Sequence, residues 1–144
     1  MPVYLKLAAS GELAKRAEEA QRRLAKVRNY VEVNRAAVKE MHRQVSDLVL
    51  DEQGIALRGL LVRHLVMPHG IAGTERVLEF LANKISVDTY LNLMDQYGPR
   101  YRAREFPELA RSVSAEEYRA ALAIAAKLGL SRLDGRHAPA SKSP

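Results

Sequence analysis

There is no cysteine anywhere in the 144 residues. That single absence excludes disulfides, thiolate zinc centres, cysteine nucleophiles and cysteine-ligated clusters together. It fits a reducing compartment, and a cytoplasmic location is the expectation. Long apolar runs are missing too. A membrane helix needs ~18–20 uninterrupted apolar residues, whereas the longest run here, Gly59 to Pro68, is broken by Arg63 and His64. Charge begins at Lys6 and alternates from Glu12 onward, which is not the basic-then-apolar layout of a signal peptide. Neither a membrane span nor a leader is expected.

Metal and catalytic signatures are equally scarce. No two histidines stand four apart, as they would on a zincin helix, and no acidic cluster has EF-hand spacing. His64 and His69 are five apart across a strand end. Gly70 and Gly73 give only G-x-x-G, not a phosphate loop, and no G-x-S-x-G elbow occurs. The residues therefore imply no metal and no cofactor in this chain. Charge is not of one sign either. Lys and Arg number 23 and Asp and Glu 17, for a net charge of +6. Lys15 and Arg16 stand near Glu18 and Glu19, and Arg76 beside Glu75. The denser basic groups are Arg22, Arg23, Lys26 and Arg28, then Arg100, Arg102 and Arg104, the latter interleaved with Tyr97, Tyr101 and Phe106. Such a pattern can stack bases, but a solvated basic face is the preferred reading, and nucleic acid is not the expected partner.

What is present is an ordinary globular mix, 47% apolar and 28% charged, on a chain the size of one domain. Pro2 to Ala9 is an apolar lead-in. Ser10 reads as an N-cap, and Leu13, Ala17, Ala20, Leu24 and Val27 recur at helical spacing, predicting a basic amphipathic helix over 12–28. Asn29 to Val33 reads as extended. A second helix carries Val33, Ala37, Met41, Val45 and Leu48 on one stripe, with Arg35, Lys39 and Arg43 away from it. Asp51 to Gly54 is turn chemistry. The run from Gly59 to Met67, stopped by Pro68, predicts a strand buried on both faces. Arg63 and His64, being adjacent, must point to opposite sides of it. Thr74 is the expected N-cap of a helix ending near Lys84, with Val77, Leu78 and Leu81 inward. Thr89 to Met94 predicts a second strand, and residues 98–113 an irregular stretch. Ser114 and Glu117 form a capping box opening the last helix, which carries Tyr118, Leu122, Ala125 and Leu128. Residues 135–144 lack any apolar pattern and read as a disordered tail. From residue 33 the order helix, strand, helix, strand, helix predicts an α/β fold with two main parallel strands and about four helices.

In such folds chemistry gathers where strands end. Those points are Met67 to Gly70 and Asp95 to Tyr97, which would bring His69 and Asp95 to one rim. The pair reads either as an acid/base couple or as a loop hydrogen bond. Arg63, if buried, needs an anion: a structural partner such as Asp95 or Asp88, or an anionic ligand. His64 reads as a hydrogen-bonded core or helix-facing histidine. His42 is expected on a polar helix face.

Several segments together carry a family resemblance. They are Val31 to Val45, Gly59-Leu-Leu-Val-Arg-His-Leu-Val-Met-Pro68, Ala72-Gly-Thr-Glu75, Thr89-Tyr-Leu-Asn-Leu-Met-Asp-Gln-Tyr97, Pro107-Glu-Leu109 and the Ser114-capped helix. In order and wording this set resembles the C-terminal part of radical S-adenosylmethionine proteins of the pyruvate formate-lyase activating enzyme-like branch, over residues 29 to 134. Tyr4-Leu-Lys-Leu7 and Gly11-Glu-Leu-Ala14 are similar to the head of the same proteins. The resemblance implies a fragment of a partial (β/α) barrel, with Arg63 lining it and His69, Asp95, Gln96 and Tyr97 at its mouth, facing cofactor or substrate. The family's CxxxCxxC loop, which holds a [4Fe–4S] cluster, has no counterpart, as though head and tail were joined near residues 25 to 28. The resulting expectation is a truncated activase-like protein that is not catalytic by itself. The alternative is an interaction module that docks a partner through helix 12–28 and the open sheet face. A homodimer or a protein partner covering that face is expected, and no membrane.

Overall fold

The computed structural model describes residues 29–134, together with Glu19 and Arg23, which are helical. The expected lead-in, the helix over 12–28 and the tail 135–144 otherwise lie outside the described residues. The fold is α/β: helix α1 (Tyr30–Val45), a short hairpin of β1 (Val49–Leu50) and β2 (Ala56–Arg58), then β3 (Leu61–Leu65), α2 (Thr74–Lys84), β4 (Tyr90–Met94) and α3 (Ala115–Lys127). β3 and β4 pair in parallel, Leu61 opposite Tyr90 through to Leu65 opposite Met94, joined through α2. The two expected parallel strands are there. Among the described residues the α-helices number three.

Strand alternation divides the sheet into two unlike faces. Val62, His64, Leu91 and Leu93 point toward the helices, where Leu91 and Leu93 meet Leu78 and Leu81 of α2 and Tyr118, Ala121 and Ala125 of α3. Leu78, Leu81 and Leu91 are fully enclosed, so truncating any one of them to alanine would cost about 2–5 kcal/mol. The opposite face carries Leu61, Arg63 and Leu65. Leu61 is 43% exposed and Arg63 is exposed. The expectation of a strand buried on both faces is therefore corrected: among the described residues β3 is covered on one face only.

Two further corrections concern α1. Its chain is helical from Tyr30, so the extended reading of residues 29–33 fails. The helix also turns the other way round from the expected stripe. Val33, Met41 and Val45 are 57%, 46% and 39% exposed. The inward residues are Val31, Arg35, Val38 and His42, at spacings of four, three and four. Val38 packs on the core, and Arg35 lies 5.2 Å from the Phe80 ring centroid. The competing row wins because two valines, one cation on a ring and one hydrogen-bonded histidine together outweigh a thin apolar stripe. His42, expected on a polar face, hydrogen-bonds Asp47 at 3.0 Å.

The hairpin is held by local turn chemistry. The Asp51 carboxylate accepts from the Gln53 and Ile55 amides at 2.9 and 2.8 Å, and Gly54 takes φ +79°. At its exit Gly59, φ +110°, presses against the Asp47 and Leu48 backbone so closely that no Cβ fits. The capping box of α3 is formed as expected. Thr74 is not the N-cap of α2. Gly73, at φ +64°, holds that place, and the Thr74 hydroxyl is engaged by His64 instead.

Candidate functional site at the carboxyl rim of the parallel pair

Because β3 and β4 run parallel, their carboxyl ends open at the same rim. β3 leads through Val66 and Met67 into a 3-10 turn, Pro68–Gly70, and β4 leads into Asp95, Gln96 and Tyr97. Proline ends the first strand by removing a donor.

The centre of this rim is Glu117. Its side chain is 9% exposed, and its carboxylate accepts from four directions. Arg111 grips it with both terminal nitrogens, at 2.9 and 2.8 Å. The Ser114 amide donates at 2.9 Å, closing the capping box, and the His69 amide donates at 2.8 Å from 48 residues away in sequence. Burial alone would push this carboxyl up. The Arg111 guanidinium and the two amides outweigh it and hold the pKa at about 2. One side chain thus caps α3 and pins the rim turn after β3. That turn is bent sharply, with His69 at φ +59°.

His69 is held by its amide. Its side chain is exposed, and among the described residues it makes no hydrogen bond with Asp95. Asp95 lies near enough to Tyr118 to reinforce what burial already does, raising that phenol's pKa. Tyr97 donates its hydroxyl to the Leu109 carbonyl at 2.9 Å and packs with Ile71, Leu109 and Phe106. Arg63 is not buried, and it pairs with neither Asp95 nor Asp88. Its guanidinium rests on the Met94 thioether at 3.1 Å, and Gln96 approaches the same sulfur at 3.8 Å. A thioether is a weak acceptor, so among the described residues Arg63 is a cation without a carboxylate. His64, on the helix side, hydrogen-bonds the Thr74 hydroxyl at 2.9 Å, and burial lowers its pKa to about 4. It is neutral at pH 7, as a helix-facing histidine should be.

Of the expected rim residues, the structure brings Arg63 and Gln96 together through Met94. Tyr97 is placed in a small apolar cluster, and His69 and Asp95 stay unbonded to each other. Glu117 was visible only as half of a capping box. Arg111 carried no signal, since nothing local distinguishes it from other loop arginines. Arg23 pairs with Glu108 and sits 5.8 Å from the Phe106 ring centroid, at the edge of the same loop region. Among the described residues no group of histidine and carboxylate side chains is arranged to hold a metal ion, and no helix is long and apolar enough to cross a membrane.

Among the described residues these features define an α/β unit with one helix-covered face and an opposite face on which Leu61 and Arg63 of β3 are exposed. No protein-family model matches the chain, and no solved structure matches it. It is 34% identical over 113 residues to a protein of Methanocaldococcus jannaschii described as uncharacterized protein MJ0674. The match covers 78% of this chain and 29% of that relative, so the chain spans less than a third of the relative's length.

Proposed function

We propose that this chain is a shortened relative of radical S-adenosylmethionine activases of the pyruvate formate-lyase activating enzyme-like branch, and that the 144-residue chain is not catalytic by itself. The observation that carries the reading is the parallel β3–β4 pair with α2 and α3 packed on one of its faces. In a (β/α) barrel the helices lie outside and the opposite face looks inward. Arg63 stands on that opposite face, and His69, Asp95, Gln96 and Tyr97 follow the strand ends, where such folds bind their ligands. A relative of whose length the match covers only 29% supports a piece of a larger architecture.

The family's cluster does not fit this chain. Iron in a [4Fe–4S] cluster is held by thiolates, and the sequence offers none. No reaction step is therefore assigned to it. Anaerobic reconstitution of the purified chain with ferrous iron and sulfide tests the inactivity. The expected result is no cluster absorption or paramagnetic signal, and no 5′-deoxyadenosine from S-adenosylmethionine with dithionite above a protein-free blank. A bound cluster would overturn it. The ancestry has a separate test in a solved structure of the Methanocaldococcus relative. Two barrel strands superposing on β3 and β4 are expected, and an unrelated fold would contradict the reading.

A further inference from the structure

The two outer edges of the β3–β4 sheet are not alike. On β4 the Leu91 amide donates to the Arg132 carbonyl at 2.9 Å, the Asp134 amide donates to the Leu91 carbonyl at 3.0 Å, and the Tyr118 hydroxyl donates to the Leu93 carbonyl at 3.1 Å. That edge is closed. On β3 the Val66 amide donates to the Met94 carbonyl, so by alternation the amides of Leu61, Arg63 and Leu65 point away from β4. Among the described residues no third strand lies beside them, and they make no other hydrogen bond. An unpaired strand edge of this kind is a template for another strand.

We propose that the outer edge of β3 receives an extended, acidic segment of a partner protein by strand addition, with a carboxylate of that segment facing Arg63. Charge selects the occupant. Arg63 is the middle residue of the edge, is exposed, and among the described residues has only the Met94 sulfur as acceptor. A carboxylate facing it would replace a weak acceptor with a charge-assisted bond. The chain as a whole carries +6, which favours an acidic partner during encounter. A second copy fits less well. Two β3 strands paired antiparallel with full overlap would be centred on Arg63 and would set Arg63 against Arg63, and like charges directly opposite are unfavourable. Shifting the register to avoid this shortens an edge that is only five residues long. The flanking apolar groups, Leu61 and the half-buried Leu65, suit alternate apolar side chains of the incoming strand. The inference depends on the edge alone and holds whether or not the ancestry proposed above is correct.

The test uses the full chain and two capped seven-residue peptides of alternating valine and threonine, one with glutamate and one with lysine at the centre. Amide spectra report where each binds. The glutamate peptide should perturb the Leu61, Arg63 and Leu65 amides, and should bind about tenfold more tightly than the lysine peptide. In Arg63→Glu, an exposed substitution whose fold is checked by circular dichroism, the preference should invert. Equal binding of the two peptides, no binding of either, or an unchanged preference in R63E would overturn the proposal. So would a concentration-dependent dimer protecting those three amides, which would assign the edge to a second copy.

Discussion

The two edges of one small sheet show how differently the same backbone can be treated. The β4 edge is sealed by the segment that follows α3 and by a tyrosine hydroxyl, and its side chains sit in the main core. Among the described residues the β3 edge is left with outward donors, and the hairpin that precedes it exposes apolar side chains. Leu57, Ile55 and Val49 of the hairpin are 66%, 58% and 38% exposed. The difference follows from where the chain returns. Leu130 to Asp134 comes back beside β4, whereas the hairpin before β3 is held at its base, through Gly59 and Leu60 and through Asp47 and Leu48, which accept from Ser86 and Arg132. The covered half is stabilised by charge-assisted and buried contacts, and the open half by little beyond its own turns.

The sharpest way to break the contrast is at the joint between hairpin and sheet. Gly59→Ala sets a Cβ against the Asp47 and Leu48 backbone at a positive φ. A loss of roughly 4 kcal/mol is expected in urea unfolding. Next comes the rim. Glu117→Ala leaves the Arg111 guanidinium and the Ser114 and His69 amides without their acceptor, and should cost about 3 kcal/mol. The Glu117 pKa falls from its ordinary 4.5 to about 2 on folding. Between those values the unfolded chain binds more protons. The contribution is therefore complete above pH 4.5 and lost as pH falls toward 2, a loss that Glu117→Gln should abolish. His64 acts at milder pH. Its pKa falls from 6.5 to about 4 on folding, so the unfolded chain again binds the extra proton, and stability declines as pH drops from 6.5 toward 4. The decline is at most about 3 kcal/mol, and His64→Gln should remove it. Substitution on the open half sharpens the contrast by doing little: Leu57→Lys should change stability by less than about 0.5 kcal/mol.

Much of the covered half was legible in the sequence because its signals are local and mutually consistent. Ser114 and Glu117 stand at capping-box spacing, Leu78 and Leu81 at helical spacing, and Leu61 to Leu65 ends in a proline. The adjacency of Arg63 and His64 correctly implied opposite faces. What failed depended on distant partners. The orientation of α1 was decided by Phe80 and Asp47, which its own periodicity does not reveal. The hairpin strands are two and three residues long, too short for any alternation to register. Thr74 looked like a cap until His64 claimed its hydroxyl. Arg111 became important only because α3 brings Glu117 to meet it, and the bond from Glu117 to the His69 amide spans most of the fold.

The asymmetry of the sheet is the claim on which the rest depends, and amide hydrogen exchange of the free chain reads it residue by residue. Slow exchange at Val62, His64, Val66 and Leu91, alternating with fast exchange at Leu61, Arg63 and Leu65, is the predicted result. Uniform protection along β3 in the monomer would mean that its outer edge is already covered, and would contradict the account.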